Sequence, residues 1–229
     1  MASFKNTTIL LAATLCAIAP AWADSPATAY PAMAPVDQYR MANSADEIAM
    51  ARTAAPPSIS ADATIMVLGA GGYETAVTGK NGFTCLVLRS WTANFDDPVF
   101  WNPKIRGPVC YNPAAVRSIL PQVVERTKWV LAGVPKVQME IRAKTSAVAN
   151  TPPEPVSFGY MMSKEGYLSD KGEHRWHPHM MFYQEHAKAA DWGADLPGSP
   201  VVSGEGEPIT QYFVPLAKWS DGSSAVDMH

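Results

Sequence analysis

The cysteine content constrains the fold of this chain most, because it predicts one covalent contact between distant residues. The 229 residues include 3 cysteines, of which Cys16 falls in an N-terminal segment that we expect to be removed. Cys85 and Cys110 then remain, and an even pair in an exported protein usually forms a disulfide. The alternative, a pair of reactive cysteines, is less favoured because the two residues lack the C-x-x-C spacing.

Residues 1–23 have the pattern of a signal peptide. Lys5 supplies the positive N-terminal region, an apolar stretch runs from Ile9 to Ala19, and Ala21-Trp22-Ala23 fits an A-x-A cleavage site. This stretch is shorter than the roughly 20 residues that a membrane-spanning helix needs, so we expect no membrane anchor. The sequence therefore predicts a periplasmic or extracellular protein that begins at Asp24.

The charge balance excludes two classes of partner. The chain has 18 Lys and Arg against 21 Asp and Glu, without a cluster of basic residues. Nucleic acids and anionic membranes attract proteins through such clusters. We therefore expect no nucleic acid and no membrane surface among the partners, which leaves an unknown small molecule or protein.

The domain limits follow from composition and capping signals. Residues 24–43 are rich in Pro and Ala and are predicted to form a flexible leader, because they offer little apolar surface to bury. Ser44 and Glu47 fit a capping box at the start of a short helix. Residues 44–229 suffice for a single domain, although the proline-rich segment 150–155 is a candidate boundary between two lobes.

The first part of this domain predicts three strands joined by glycine-rich turns. Apolar runs at 64–68 and 83–89 flank a shorter run that ends at Val77. Asn81-Gly82 is the strongest hairpin signal in the chain. Glu74 stands where a dinucleotide fingerprint would have its third glycine, and no helical pattern follows, so the segment 69–72 is interpreted as a turn.

Two helices and three more strands follow. The first helix is predicted from the N-cap Asn112 to Gly133, with a break at Pro121. The second is predicted over 136–148, with Val137, Ile141 and Val148 facing the core. Strand-like runs follow at 156–162, 176–183 and 211–216. These patterns predict an α+β fold, with a mainly antiparallel sheet, two or three packed helices and one disulfide.

Three of the 5 histidines lie within six residues: His174, His177 and His179. In a strand over 176–183, side chains alternate, so His177 and His179 would share one face with Met181 and Tyr183. Histidines at i and i+2 can converge on a divalent metal such as zinc or copper, with His174 as a third ligand.

The metal hypothesis has candidate oxygen ligands and one structural alternative. Asp170, Glu173 or Glu185 could supply the oxygen atoms. The alternative is that the histidines cap backbone carbonyls on an edge strand, since Pro178 has no amide hydrogen.

Several separated segments resemble a group of exported bacterial proteins of uncharacterised function. They are Asn81–Cys85 (NGFTC), Phe100–Lys104 (FWNPK), Trp176–Phe182 (WHPHMMF), Trp192–Asp195 (WGAD) and Gly198–Pro200 (GSP). The match covers roughly residues 44–221, so the resemblance implies one continuous unit. It implies no activity, cofactor or catalytic residue.

Three functions remain open at this stage. The favoured one is a non-catalytic binding or structural module, in which the aromatic loop 91–113 and the long loop 191–208 present a surface. The second is a metal-dependent hydrolase or oxidase at the histidine cluster, with Glu185 or Asp195 as general base. The third uses Ser199 or Ser203 as nucleophile with a histidine base, and ranks last because no G-x-S-x-G motif occurs.

Overall fold

The structure is a computed structural model that describes Met1 and residues 29–148, 151–194, 196–197, 199–205 and 207–225. The predicted signal peptide, apart from Met1, lies outside the described residues. In the described ranges, no helix is both long enough and apolar enough to cross a membrane.

The described chain is organised around one eight-stranded mixed sheet. Its strands are β1 (Thr64–Gly69), β2 (Gly72–Val77), β3 (Thr84–Leu88), β4 (Gly107–Tyr111), β5 (Phe158–Met161), β6 (His179–Glu185), β7 (Val201–Ser203) and β8 (Ile209–Pro215). The order across the sheet is β2-β1-β3-β4-β5-β6-β8-β7. Only β1 and β3, among these described strands, run parallel to each other.

The described α-helices are α1 (Ser44–Arg52), α2 (Pro57–Ser60), α3 (Pro113–Ser118), α4 (Leu120–Leu131) and α5 (Lys136–Thr145), with short 3-10 helices at Val36–Tyr39, Ser90–Thr92 and Ala189–Trp192. The α+β class is thus confirmed. The finer prediction is corrected in two respects: the sheet is mixed, and the described chain has five α-helices where two or three were expected.

The two faces of the sheet bury separate cores. Side chains alternate along β3, so Cys85 and Val87 pack with Ala51 of α1 and with the alanines that follow this helix, while Leu86 belongs to the larger core on the opposite face. That larger core also includes Trp129 and Val130 of α4. Helices therefore cover both faces of the sheet, with α4 and α5 on the side of the larger core.

The predicted disulfide is present between neighbouring strands. Cys85 and Cys110 are bonded to each other and stand directly opposite in the β3–β4 register. Both residues are fully buried beneath α1. The bond therefore joins β3 to β4, the two strands that flank residues 89–106, near the centre of the sheet.

The prediction of a hairpin at Asn81-Gly82 is wrong. β3 does not pair with β2 but crosses over to lie parallel to β1, with Thr64 opposite Thr84. The Asn81 side chain donates to the carbonyl of Ile59 at 2.8 Å and accepts from the amide of Phe83 at 3.0 Å. These hydrogen bonds connect the turn to α2. The turn therefore lies in the crossover connection between β2 and β3, and it does not close a hairpin. The turn at Gly69–Gly72 does form the predicted β1–β2 hairpin.

The predicted helix at 112–133 is confirmed as two segments. Asn112 caps α3 by accepting from the amide of Ala115 at 3.0 Å. The helical segments meet at Ile119, just before Pro121. Gly133 follows α4 with φ of 69°, the left-handed conformation that favours glycine after a helix.

The predicted inner face of α5 is wrong. Val137 and Ile141 are 69% and 56% exposed, whereas Met139 is fully buried. Lys136, Met139 and Ala143 share one side of the helix by their i, i+3, i+7 spacing. The Lys136 ammonium lies 4.7 Å from the ring centroid of Phe100. The aliphatic stem of Lys136 therefore faces the core on the side of α5 where Val137 and Ile141 were expected.

The segment predicted as a flexible leader, 24–43, is packed from Tyr30 onward. Tyr30, Met33 and Ala34 contact the larger core, and Tyr39 is fully buried, with its hydroxyl donating to the Trp101 carbonyl at 2.9 Å. Aromatic contacts offset the ordering cost that composition suggested. The predicted N-cap of α1, Ser44, is also corrected: the residue that caps the helix is Asn43, whose side chain accepts from the amide of Asp46.

The sheet continues across the candidate boundary at 150–155. Tyr111 of β4 stands opposite Gly159 of β5, and the carbonyl of Phe158 accepts from the amide of Asn112. The chain before and the chain after this proline-rich segment therefore contribute adjacent strands to one sheet.

Candidate functional site

A cavity of about 720 Å³ lies between the sheet and helices α4 and α5. Its base is formed by Tyr111 of β4 and by Met181 and Tyr183 of β6, which we call the aromatic floor. The alternation of β6 places these residues, because His179, Met181 and Tyr183 are buried while Met180 and Phe182 face the other side. A volume of this size is typical of small-molecule sites.

The walls and mouth of the cavity come from two helices and two loops. α4 contributes Val123, Arg126 and Trp129, and α5 contributes Lys136, Glu140, Ala143 and Lys144. Asn94, Phe95 and Asp96 border the mouth on one side, and Gly204, Glu205, Glu207 and Pro208 border it on the other. Parts of the aromatic loop 91–113 and of the long loop 191–208, which were predicted to present a binding surface, thus lie at the mouth of one cavity.

The phenols of the aromatic floor are in a buried environment. Burial is the largest cause that raises the pKa of Tyr111 and of Tyr183, and the proximity of Tyr111 raises the pKa of Tyr183 further. Their ring centroids lie 6.2 Å apart. Both side chains therefore stay protonated at neutral pH, when they can donate hydrogen bonds but cannot act as bases.

Arg126 of α4 is a half-buried cation that lines the cavity. Its Nη1 donates to the carbonyls of Ala93 at 2.9 Å and Trp91 at 3.3 Å, and its guanidinium lies 4.3 Å from the ring centroid of Phe95. Burial lowers the pKa of Arg126 to about 10, so the group is still charged at neutral pH. Within the described ranges, no carboxylate forms an ion pair with it.

The three histidines of the predicted metal site each face a backbone carbonyl. The Nδ1 atom lies 2.9 Å from the Ser169 oxygen in His174, 3.2 Å from the Pro178 oxygen in His177, and 2.7 Å from the His177 oxygen in His179. A carbonyl can only accept, so each Nδ1 carries the proton. This is the carbonyl-capping arrangement that the sequence offered as the alternative.

The predicted convergence of His174, His177 and His179 on one ion is not assembled. Among the residues that the structure describes, no three His, Cys, Asp or Glu side chains form a group that could hold a metal. The physical reason is that β6 begins only at His179, so the strand alternation that would align His177 with it does not extend that far.

The candidate oxygen ligands are engaged elsewhere. Asp170 accepts from the hydroxyls of Tyr30 and Tyr167, and these hydrogen bonds, that of Tyr167 first, lower its pKa. Glu173 pairs with Arg175, and Glu185 is exposed at the end of β6. Asp195 lies outside the described residues.

The candidate serine nucleophiles are likewise in structural bonds. The Ser199 hydroxyl donates to the Leu196 carbonyl at 2.7 Å, which fits the turn that the sequence favoured. Ser203 accepts from the Asn94 amide at 3.5 Å. Neither hydroxyl forms a hydrogen bond with an imidazole in the described part of the chain.

His179 is expected to make stability depend on pH. Burial lowers its pKa below 6.5 in the folded chain, and its Nε2 is buried without a hydrogen-bond partner. As pH falls, His179 is therefore protonated in the unfolded chain before it is protonated in the folded chain. The free energy of unfolding is highest above pH 6.5 and decreases below it, by at most about 1.4 kcal/mol per pH unit. We expect His179→Phe to flatten this loss in urea denaturation between pH 7 and 4.

His177→Phe is the matched control, because His177 is exposed at the same segment. Its denaturation profile should stay close to that of the wild type, because burial is the largest cause that lowers the pKa of His179 and the charge of His177 is the smallest. Parallel pH profiles for wild type and His179→Phe would contradict the assignment.

A second set of aromatic side chains lies on the opposite face of β5, β6 and β8, and we call it the outer aromatic cluster. Trp192 stacks on Tyr212 with ring centroids 4.2 Å apart and also contacts Phe182, which contacts Phe158. These side chains cover one another on the far side of the sheet from the cavity.

Comparison of the chain with protein-family models, curated proteins and solved structures gave no match. The resemblance to uncharacterised exported proteins therefore stays a prediction. The function has to be inferred from the geometry of the chain itself.

Sequence patterns did not identify the residues that line the cavity walls. Val123 belongs to an apolar stripe of α4 that also includes Leu120, Thr127 and Val130. Arg126 lies three residues after Val123, and this spacing places both side chains on one side of the helix. A basic residue beside an apolar stripe was the available signal. Tyr183 and Met181 were predicted to share a face with His179, and this prediction is confirmed.

Proposed function

We propose that the protein is an exported, non-catalytic binding protein that holds a small organic molecule in the cavity between the sheet and α4–α5. The observation that carries the proposal is the cavity of about 720 Å³, with an aromatic floor and with polar and charged side chains around its walls and mouth. A concave site of this volume that combines an apolar base with polar groups is typical of ligand sites. Export to the periplasm or the cell exterior rests on the signal pattern, with which the disulfide is compatible.

Binding without catalysis is supported by the groups that line the cavity. Among its described lining residues there is no histidine and no cysteine. The raised pKa values of Tyr111 and Tyr183 disfavour a phenolate base. Glu125 accepts from the indole nitrogen of Trp129 at 3.0 Å, which engages it structurally. The metalloenzyme alternative has no comparable support, because none of its three histidines lines the cavity.

Filling the cavity should abolish binding. Ala143 lines it from α5, and Ala143→Trp would place an indole where the ligand is proposed to lie. We expect the best compounds of a small-molecule library to raise the melting temperature of the wild type by about 5 to 10 °C at a hundredfold excess over Kd. Ala143→Trp should lose that response.

Val137→Trp is the matched control, because Val137 lies on the same helix but is exposed to solvent. It should respond to the same compounds as the wild type. The proposal would have to be abandoned if no compound stabilised the wild type, or if Ala143→Trp, shown to be folded by circular dichroism, responded equally.

A further inference from the structure

We infer that the ligand of the cavity is an organic anion, with an apolar body against the aromatic floor and one carboxylate or similar acidic group paired with Arg126. The inference rests on the proposed function, since it specifies the chemistry of the molecule that the same cavity would hold. It is carried by a half-buried cation that lines the cavity and forms no ion pair with a carboxylate of the described residues.

The guanidinium of Arg126 has donors left over for a ligand. Both of its protein hydrogen bonds use Nη1, which donates to the Trp91 and Ala93 carbonyls. Its Nε and Nη2 form no hydrogen bond within the described residues. A carboxylate can accept two parallel N–H bonds from an arginine, and such charge-assisted pairs are stronger than neutral ones.

The acidic groups around the cavity do not neutralise Arg126. Glu125 is bonded to the Trp129 indole, Glu140 to Lys144, and Glu205 to the amide of Ala189. Glu207 is exposed at the mouth, where its charge raises the pKa of Arg126 but is outweighed by desolvation. Asp96 is likewise exposed. Among the described residues, no carboxylate is therefore bonded to Arg126, and the exposed carboxylates of Asp96 and Glu207 lie at the mouth of the cavity.

The guanidinium of Arg126 favours an anion whose acidic group pairs with it while the apolar body lies against the aromatic floor. Keeping a charge away from water is unfavourable unless an opposite charge and hydrogen bonds compensate, and an entering carboxylate supplies both. Phe95 covers one face of the guanidinium and restricts the direction of approach. Lys136 also lines the cavity, but it lies over the Phe100 ring at the side. Arg126 is therefore the favoured partner of the acidic group.

The test uses acids and their neutral amides as matched probes. Naphthalene-2-carboxylate and decanoate offer an aromatic and an aliphatic body, and their primary amides have nearly the same shape without the charge. We expect calorimetric titration of the wild type to show at least one acid binding about tenfold or more tighter than its amide. Ala143→Trp should bind neither, which places the site in the cavity.

Arg126→Gln should reduce the acid-to-amide ratio to near one, whereas Arg126→Lys should keep part of it. Lys128→Gln, at an exposed position of the same helix outside the cavity lining, should leave the ratio largely unchanged. If Arg126→Gln does not fold, the acid-to-amide ratios of the wild type and of Arg126→Lys still test the inference, because the ratio should be lower in Arg126→Lys. Equal binding of acid and amide, or loss of the ratio in Lys136→Gln alone, would overturn the inference and leave the proposed function intact. If neither acid binds the wild type the inference also falls, while neutral library compounds that Ala143→Trp excludes would still support a binding cavity.

Discussion

Glu47→Ala is expected to lower the free energy of unfolding by about 3–5 kcal/mol, because it leaves a buried arginine without its counter-charge. Arg89 Nη2 lies 2.8 Å from Glu47 Oε1, and the two side chains are 0% and 4% exposed. Glu47 also accepts from the amide of Leu68, and Arg89 donates to the carbonyls of Tyr39 and Val87. The pair thus joins α1, β1, β3 and the N-terminal segment.

Urea denaturation of Glu47→Ala and of Glu154→Ala would measure this effect against a matched control. Glu154 forms an ion pair with Arg117, but both side chains are largely exposed, so its loss should change stability far less. Replacing both Glu47 and Arg89 by Met should recover much of the loss, since no charge is then left buried. Similar changes for Glu47→Ala and Glu154→Ala would disprove the structural role of the buried pair.

The second large effect is expected from the disulfide. Its sequence separation of 25 residues corresponds to a loop-closure contribution of about 3.5 kcal/mol to the free energy of unfolding. Replacing Cys85 and Cys110 together by Ala should remove this contribution. Alanine is the suitable replacement because both positions are fully buried, where a serine hydroxyl would add a desolvation cost.

Urea denaturation of the oxidised wild type, the reduced wild type and the double Ala variant measures the contribution. The last two should unfold at similarly low urea concentrations. Two thiols that can be alkylated in the denatured but unreduced protein would show that the bond does not form. A loss well below 1 kcal/mol in the double variant would contradict its role in stability.

Features specified by neighbouring residues could be predicted from the sequence. Asn112 caps α3, Pro121 lies in the first turn of α4 and separates it from α3, and Gly133 follows the end of α4, because each residue acts within a few positions of its own. The disulfide could be predicted for another reason, because only two cysteines follow the expected signal peptide. The shared face of Met181 and Tyr183 followed from the two-residue period of a strand.

Features that depend on distant contacts could not be predicted in this way. Asn81-Gly82 has the residues of a hairpin turn, but β3 pairs in parallel with β1. This pairing joins strands that are not consecutive along the chain, so no local sequence pattern predicts it. Glu47 fitted a helix-capping role, while its buried partner Arg89 lies 42 residues away. The cavity was missed for the same reason, because its walls come from elements separated along the chain.

The central claim is that ligands bind between the sheet and α4–α5, and methyl NMR tests it most directly. Met181 lies on the aromatic floor, whereas its neighbour Met180 faces the outer aromatic cluster. With the compound that raises the melting temperature most, the account predicts large chemical-shift changes at the methyls of Met181, Ile119 and Val123, and little change at Met180. Large changes at Met180 with an unperturbed Met181 would contradict it.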